Sequence, residues 1–159
     1  MSEEDDYAKV RIFPPGVPFA TVLLGCLLNR MIPLYFGFSI PSPERYWIGG
    51  LLATAAFFGL GVWAVVLFRR GGQNENPWTP TPHIEERGPF SITRNPMYLD
   101  MVLVCIGVAV MLMNWWILIL TPVAAWLLQR YAILPEEAYL ERKFGNAYLR
   151  YKKRVRRWL

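Results

Sequence analysis

The chain has 159 residues, of which 54% are hydrophobic and 15% aromatic, and its net charge of +5 comes mainly from the C-terminus. This composition is too apolar for an ordinary soluble protein, and it predicts one membrane domain rather than a nucleic-acid-binding protein. The single histidine and the two cysteines, Cys26 and Cys105, give no metal-ligand spacing, so neither a metal enzyme nor a disulfide framework is expected.

The first half of the chain contains two apolar segments. Residues 1–15 are polar, begin with an acidic run unlike a signal peptide, and are expected to form a short cytosolic tail. The first apolar segment, residues 17–38, is interrupted near Arg30, so its helix either continues past that residue or breaks and re-enters. The second segment, residues 46–68, is free of charge and long enough to cross about 30 Å of hydrocarbon.

A polar, proline-rich connection follows at residues 71–87 and is predicted to lie extended at the membrane face. The third apolar segment, residues 96–113, begins with a proline, which suits the first turn of a helix. It carries Asp100, which is either a functional carboxylate inside a span or an interfacial acid near a helix N-terminus. A tight uncharged turn then leads into the fourth segment, residues 115–134.

The last segment, residues 135–159, is predicted to be an amphipathic helix that Pro135 opens. Glu136 and Glu137 fall in its first turn, where the helix dipole favours acids. Its apolar residues recur at helical spacing, and its basic end suits anionic lipid headgroups. Positive charge follows the second apolar segment and ends the chain, whereas the turn before Trp115 is uncharged. The positive-inside rule therefore predicts an all-α bundle of about four transmembrane helices with both termini cytosolic.

The most informative stretch is residues 88–98, called the motif loop below, which reads Gly-Pro-Phe-Ser-Ile-Thr-Arg-Asn-Pro-Met-Tyr. Its two prolines restrict the backbone and shape a loop that ends where Pro96 can begin a helix. Arg94 places a permanent charge beside that helix N-terminus, where donors can converge on a carboxylate or a phosphate. The alternative is an interfacial loop whose arginine reaches lipid headgroups.

Two separated motifs resemble the membrane-embedded isoprenylcysteine carboxyl methyltransferase and phospholipid methyltransferase group. The matching residues are Gly88-Pro89-Phe90 with Arg94-Asn95-Pro96-Met97-Tyr98, and then Glu136-Glu137, Leu140, Phe144-Gly145, Tyr148 and Tyr151. The resemblance covers roughly the second half of the chain, and each motif lies beside an apolar segment. It implies direct methyl transfer from S-adenosyl-L-methionine, entering from the cytosol, to a lipophilic acceptor that is reached from the bilayer.

The resemblance also implies a cofactor site. The expected cofactor-binding residues are His83, Ile84, Phe90, Arg94, Asn95, Pro96, Met97, Tyr98, Glu136 and Glu137. An arginine suits the methionine carboxylate, the acidic pair suits the amine or the ribose, and aromatic rings suit the sulfonium. The catalytic residue stays open among Arg130, which would hold an anionic acceptor, and Glu137 or Asp100, which would take a proton from an amine or thiol.

Two other functions stay open on the sequence. Integral-membrane sterol and enone reductases share a related motif but use NADPH and a larger bundle, and a non-catalytic membrane scaffold could keep the same fold. The acceptor is open between a prenylated protein C-terminus, a phospholipid amine, and a small hydrophobic thiol, amine or acid. We therefore expect residues 1–159 to form a single multi-pass methyltransferase domain, placed in the inner or plasma membrane if the source is prokaryotic.

Overall fold

The computed structural model describes residues 6–159, so the acidic start of the predicted tail, residues 1–5, lies outside the described residues. The described residues are mainly helical, with an isolated β-bridge between Thr93 and Arg156. The α-helices are α1 Gly16–Met31, α2 Glu44–Ala56, α3 Trp63–Arg70, α4 Pro96–Leu112, α5 Trp115–Leu128, α6 Leu134–Phe144 and α7 Asn146–Arg154. The predicted all-α class is confirmed.

Four of these helices join in pairs through π-helical turns. The turn Phe57–Val62 joins α2 to α3 in a continuous helix of 27 residues, and the turn Gln129–Ile133 joins α5 to α6 in one of 30 residues. Both continuous helices exceed the roughly 20 apolar residues that a bilayer crossing needs. Helices α1 and α4 are apolar but have only 16 and 17 residues. Two helices therefore qualify as membrane spans by length and composition.

Helix α1 ends at Met31, one residue after Arg30, and does not continue through the rest of the predicted segment, residues 32–38. Ile32 precedes a proline, and the residue before a proline is pushed out of the α region. It adopts φ −136° and ψ 80°. Arg30 lies exposed in the last turn of α1.

Helix α6 carries Pro135 at its start and Glu136 and Glu137 in its first turn, as predicted. It is not a separate helix, however, because it continues α5 without a break. A proline inside a helix removes one hydrogen bond and leaves the carbonyl four residues earlier without its donor. Here that carbonyl belongs to Tyr131, within the second π-helical turn, and it accepts instead from the backbone N–H of Arg11 at 3.0 Å. A distant segment of the chain thus supplies the missing donor.

The predicted single C-terminal helix is two helices, because Gly145 separates α6 from α7. Its φ of 52° and ψ of −125° are accessible to glycine and strained for other residues. The apolar residues beyond the break nevertheless form one buried cluster, made of Tyr148, Tyr151 and Val155. The periodic pattern therefore predicted the buried face correctly and missed the change of direction.

Helix α4 packs against α2 at a point where each helix has a glycine. A side chain added at Gly49 would meet the carbonyl oxygen of Gly107, and one added at Gly107 would meet that of Gly49. Small residues at such crossings allow close packing of membrane helices. This contact sets α4, and the motif loop that precedes it, against the first continuous helix.

Candidate functional site

A cavity of about 670 Å³ lies between the first π-helical turn, α3, the motif loop, α6 and α7. This volume is typical of a pocket for a small molecule or cofactor. All ten predicted cofactor-binding residues line the cavity, as does Asp100. The structure thus brings both sequence motifs, which are far apart in the chain, to one concave surface.

Arg94 is the buried cation of the cavity, with its side chain only 7% exposed. Its Nη2 lies 3.2 Å from Oε1 of Glu137. Its Nε and Nη1 are buried and have no hydrogen-bond partner within residues 6–159. Unpaired buried donors are costly, and a planar guanidinium with two of them is suited to a carboxylate or phosphate.

The backbone around Arg94 is held by residues 155–158, called the C-terminal segment below. The Arg94 N–H donates to the carbonyl of Arg156 at 2.9 Å. The side chains of Thr93 and Asn95 both donate to the carbonyl of Arg157, each at 3.0 Å. Because these bonds bracket Arg94 on both sides, they fix the direction in which its side chain leaves the loop.

Each acid of the pair on α6 has a protein partner. Glu136 accepts a hydrogen bond from the hydroxyl of Tyr98 at 2.5 Å. Glu137 accepts from Nε and Nη2 of Arg157 at 2.9 and 2.8 Å, in addition to its contact with Arg94. The carboxylate of Glu137 is therefore held between two guanidinium groups.

Aromatic side chains form another wall. Phe90 stacks on Phe68 with ring centroids 4.9 Å apart and planes 6° from parallel. The hydroxyl of Tyr151 donates to the backbone carbonyl of Phe90 at 2.7 Å. Burial raises the pKa of Tyr148 and of Tyr151 well above the ordinary value for a phenol, so both hydroxyls stay neutral.

The proline-rich connection forms the remaining side of the cavity. Its position is fixed by the amide of Gln73, which donates to the carbonyl of His83 at 2.7 Å. The His83 side chain is 43% exposed, and its Nε2 lies 3.9 Å from Oε2 of Glu85. Glu85 is buried and accepts two bonds of 2.8 Å from the guanidinium of Arg87, which lowers its pKa to about 2. Glu85 is thus an ionised structural anchor beside His83.

Asp100 lines the part of the cavity that the first π-helical turn contributes. It is 8% exposed, and its Oδ1 is buried without a hydrogen-bond partner in the described part of the chain. A side chain added at Gly61 would collide with this carboxylate. The wide turn and its glycine therefore make room for an acid in this part of the cavity.

The family model described as phospholipid methyltransferase matches residues 45–147, which is more than half of the chain. The chain belongs to the phospholipid methyltransferase family. An uncharacterized protein of Haemophilus influenzae is 39% identical over 71 residues, which is 40% of this chain and the whole of that protein. No solved structure matches the chain.

Membership in the phospholipid methyltransferase family confirms the resemblance that the two motifs carried and points to a membrane methyltransferase. The matched range includes the motif loop and the acidic pair, and ends just after α7 begins. The C-terminal segment lies beyond it. Among residues 6–159, no three His, Cys, Asp or Glu side chains converge as they would around a metal ion.

Arg130 is not among the residues that line the cavity. It is exposed, and its guanidinium lies 6.0 Å from the centroid of the Tyr131 ring. The expectation rested on the position of Arg130 in the sequence, which does not determine the face of the helix from which its side chain leaves. Arg157 was not among the predicted site residues, because a basic run at the chain end is typical of lipid binding.

Proposed function

We propose that this member of the phospholipid methyltransferase family transfers a methyl group from S-adenosyl-L-methionine to a lipophilic acceptor at the cytosolic membrane face. The observation that carries the proposal is Arg94, whose two unpaired donors are buried in a cavity lined by both family motifs. A methionine carboxylate offers the acceptor geometry that a guanidinium fork matches.

The remaining lining residues suit the other parts of that cofactor. Glu136 and Glu137 provide negative charge for the amine or acceptor oxygens for the ribose. Phe90 and Tyr98 offer ring surfaces for the adenine or for a sulfonium, a cation that aromatic faces attract. His83 and its neighbour Ile84 line the same cavity.

When bound, S-adenosyl-L-methionine supplies an electrophilic methyl group on a sulfonium sulfur. The residues of this chain orient the partners and exclude water, and such alignment can lower a barrier by roughly 7–11 kcal/mol. A carboxylate acceptor needs no base. An amine or thiol acceptor must lose a proton, and the free oxygen of Asp100 is better suited to accept it than Glu137, which two arginines already hold.

We further propose that residues 1–159 form one domain that crosses the membrane four times, through α1, the two continuous helices and α4. Helix α4 is about 25 Å long at 1.5 Å per residue, which is short for a bilayer but sufficient with snorkelling flanks. The lining of one cavity by both motifs supports placing them on the same side of the membrane. The positive-inside rule makes that side, and both termini, cytosolic.

Calorimetric titration of the purified protein in detergent tests the proposal. We expect S-adenosylhomocysteine to bind and NADPH not to bind. Binding of NADPH alone would favour a reductase, and binding of neither would favour a non-catalytic scaffold. Incubating a membrane lipid extract with the protein and isotope-labelled S-adenosyl-L-methionine, followed by mass spectrometry, would then identify the acceptor.

A further inference from the structure

We infer that Arg157 is a positioning residue of the cofactor site, which acts through Glu137 to keep two donors of Arg94 available for a ligand carboxylate. The inference rests on the proposed function, since it requires a cofactor that carries a carboxylate. Arg157 does not itself line the cavity, and it lies outside the range that the family model matches.

The geometry assigns unequal roles to the two arginines beside Glu137. Arg157 binds both carboxylate oxygens, from Nε at 2.9 Å and from Nη2 at 2.8 Å. Arg94 reaches only one oxygen, at 3.2 Å, and it does so with one nitrogen. The bidentate partner of Glu137 is therefore Arg157, and Arg94 keeps its Nε and Nη1 unpaired.

This arrangement changes what Arg94 can bind. A buried carboxylate facing a single arginine favours the two-bond fork geometry, because charge-assisted pairs strengthen when water is excluded. Without Arg157, Glu137 would turn toward Arg94 and occupy the donors that are now free. With Arg157 present, two guanidinium groups face one carboxylate, and the remaining positive charge is directed to the cavity as a site for an anion.

The C-terminal segment holds Arg157 in register with Arg94. Its backbone carbonyl accepts from the side chains of Thr93 and Asn95, at 3.0 Å each. The next residue, Trp158, donates from its indole nitrogen to Gln129 at 2.8 Å. These bonds leave Arg157 little freedom to move away from Glu137, so the segment controls both the backbone and the charge environment of Arg94.

A cycle of two proteins and two ligands tests the inference. Wild type and Arg157→Gln are titrated with S-adenosylhomocysteine and with its decarboxylated analogue, using competition for weak binding. We expect Arg157→Gln to weaken S-adenosylhomocysteine binding about tenfold while changing the affinity of the decarboxylated analogue less than about twofold. Arg157→Lys, which keeps the charge but not the fork, should fall between. Lys153→Gln removes an exposed cation near the end of α7 and should behave as wild type.

Each other outcome is decisive. An equal loss for both ligands would mean that Arg157 merely stabilises the fold, and unchanged affinities would mean that Glu137 does not compete for Arg94. Either result overturns the inference. If Arg157→Gln does not fold, Arg157→Lys is taken through the same cycle. Failure of wild type to bind S-adenosylhomocysteine would instead refute the proposed function.

Discussion

Substitution of Arg94 distinguishes between two roles for this residue, that of a cofactor anchor and that of an arginine that only reaches lipid headgroups. In Arg94→Ala, Glu137 keeps both bonds from Arg157, so the folded protein loses only the 3.2 Å contact and some packing. The loss of stability should therefore be smaller than the roughly 3–5 kcal/mol typical of a broken buried ion pair. The variant should fold, and the main effect should appear in ligand binding.

The size of that effect follows from the two free donors, Nε and Nη1. Two hydrogen bonds to a charged group, at about 1.5–3 kcal/mol each, amount to at least about 100-fold in the Kd of S-adenosylhomocysteine. Arg94→Lys keeps the charge but offers a point donor instead of a planar fork, so we expect a loss of about tenfold. Arg94→Ala should therefore bind S-adenosylhomocysteine more weakly than Arg94→Lys does.

Isothermal titration in one detergent, with thermal unfolding measured on the same samples, provides the comparison. Arg150→Ala removes an exposed arginine from α7 and serves as the control, for which we expect wild-type affinity. Equal affinities for wild type, Arg94→Lys and Arg94→Ala would remove Arg94 from the site and support the headgroup interpretation.

Three further predictions concern the acceptor side, pH and topology. Asp100→Asn should lower turnover of an amine or thiol acceptor by about 10²-fold or more, the usual contribution of a general base, without changing S-adenosylhomocysteine affinity. Arg87→Gln should lower the melting temperature at pH 7. Because the pKa of Glu85 is about 2 in the folded protein, this difference should shrink as pH falls from about 4.5 toward 2. In a background without native cysteines, single cysteines replacing the exposed residues Leu112 and Leu159 should react with impermeant reagents from opposite sides of the membrane.

Each of these has a clear contrary result. Unchanged turnover in Asp100→Asn, or an equal loss of cofactor affinity, would exclude a base at that position. A melting difference for Arg87→Gln that persists undiminished at pH 2 would show that the Glu85 pair is not its source. Labelling of both cysteines from one side would contradict four crossings with cytosolic termini.

Local chemistry made much of this fold predictable from the sequence. Helix α4 begins at Pro96, as the proline rule indicates, and the first continuous helix covers the charge-free segment with a few residues more at each end. The motif loop directly precedes α4, and the acidic pair follows the apolar part of the second continuous helix, as the sequence pattern indicated. Such features depend on residues close in sequence, which a pattern can represent.

Features that depend on distant partners were not predictable in this way. The helix continues through Pro135, and the carbonyl of Tyr131 that the proline leaves free accepts from the backbone N–H of Arg11, near the other end of the chain. The role of Arg157 depends on Glu137 across a helix break at Gly145, whose conformation no periodic pattern encodes. In both places a local rule was applied correctly and a tertiary contact overrode it.

The π-helical turn at Gln129–Ile133 affects whether an insertion or deletion in the second continuous helix moves the acidic pair. In a regular α-helix, one inserted residue turns everything beyond it by about 100° around the helix axis. A π-helical turn instead contains one residue more than an α-helical turn, so it absorbs such an insertion locally. A deletion of one residue within Gln129–Ile133 should therefore convert the turn to regular α-helix while Glu136 and Glu137 still face the cavity. Alignments that count residues from α5 to the acidic pair should allow a gap of one at this turn.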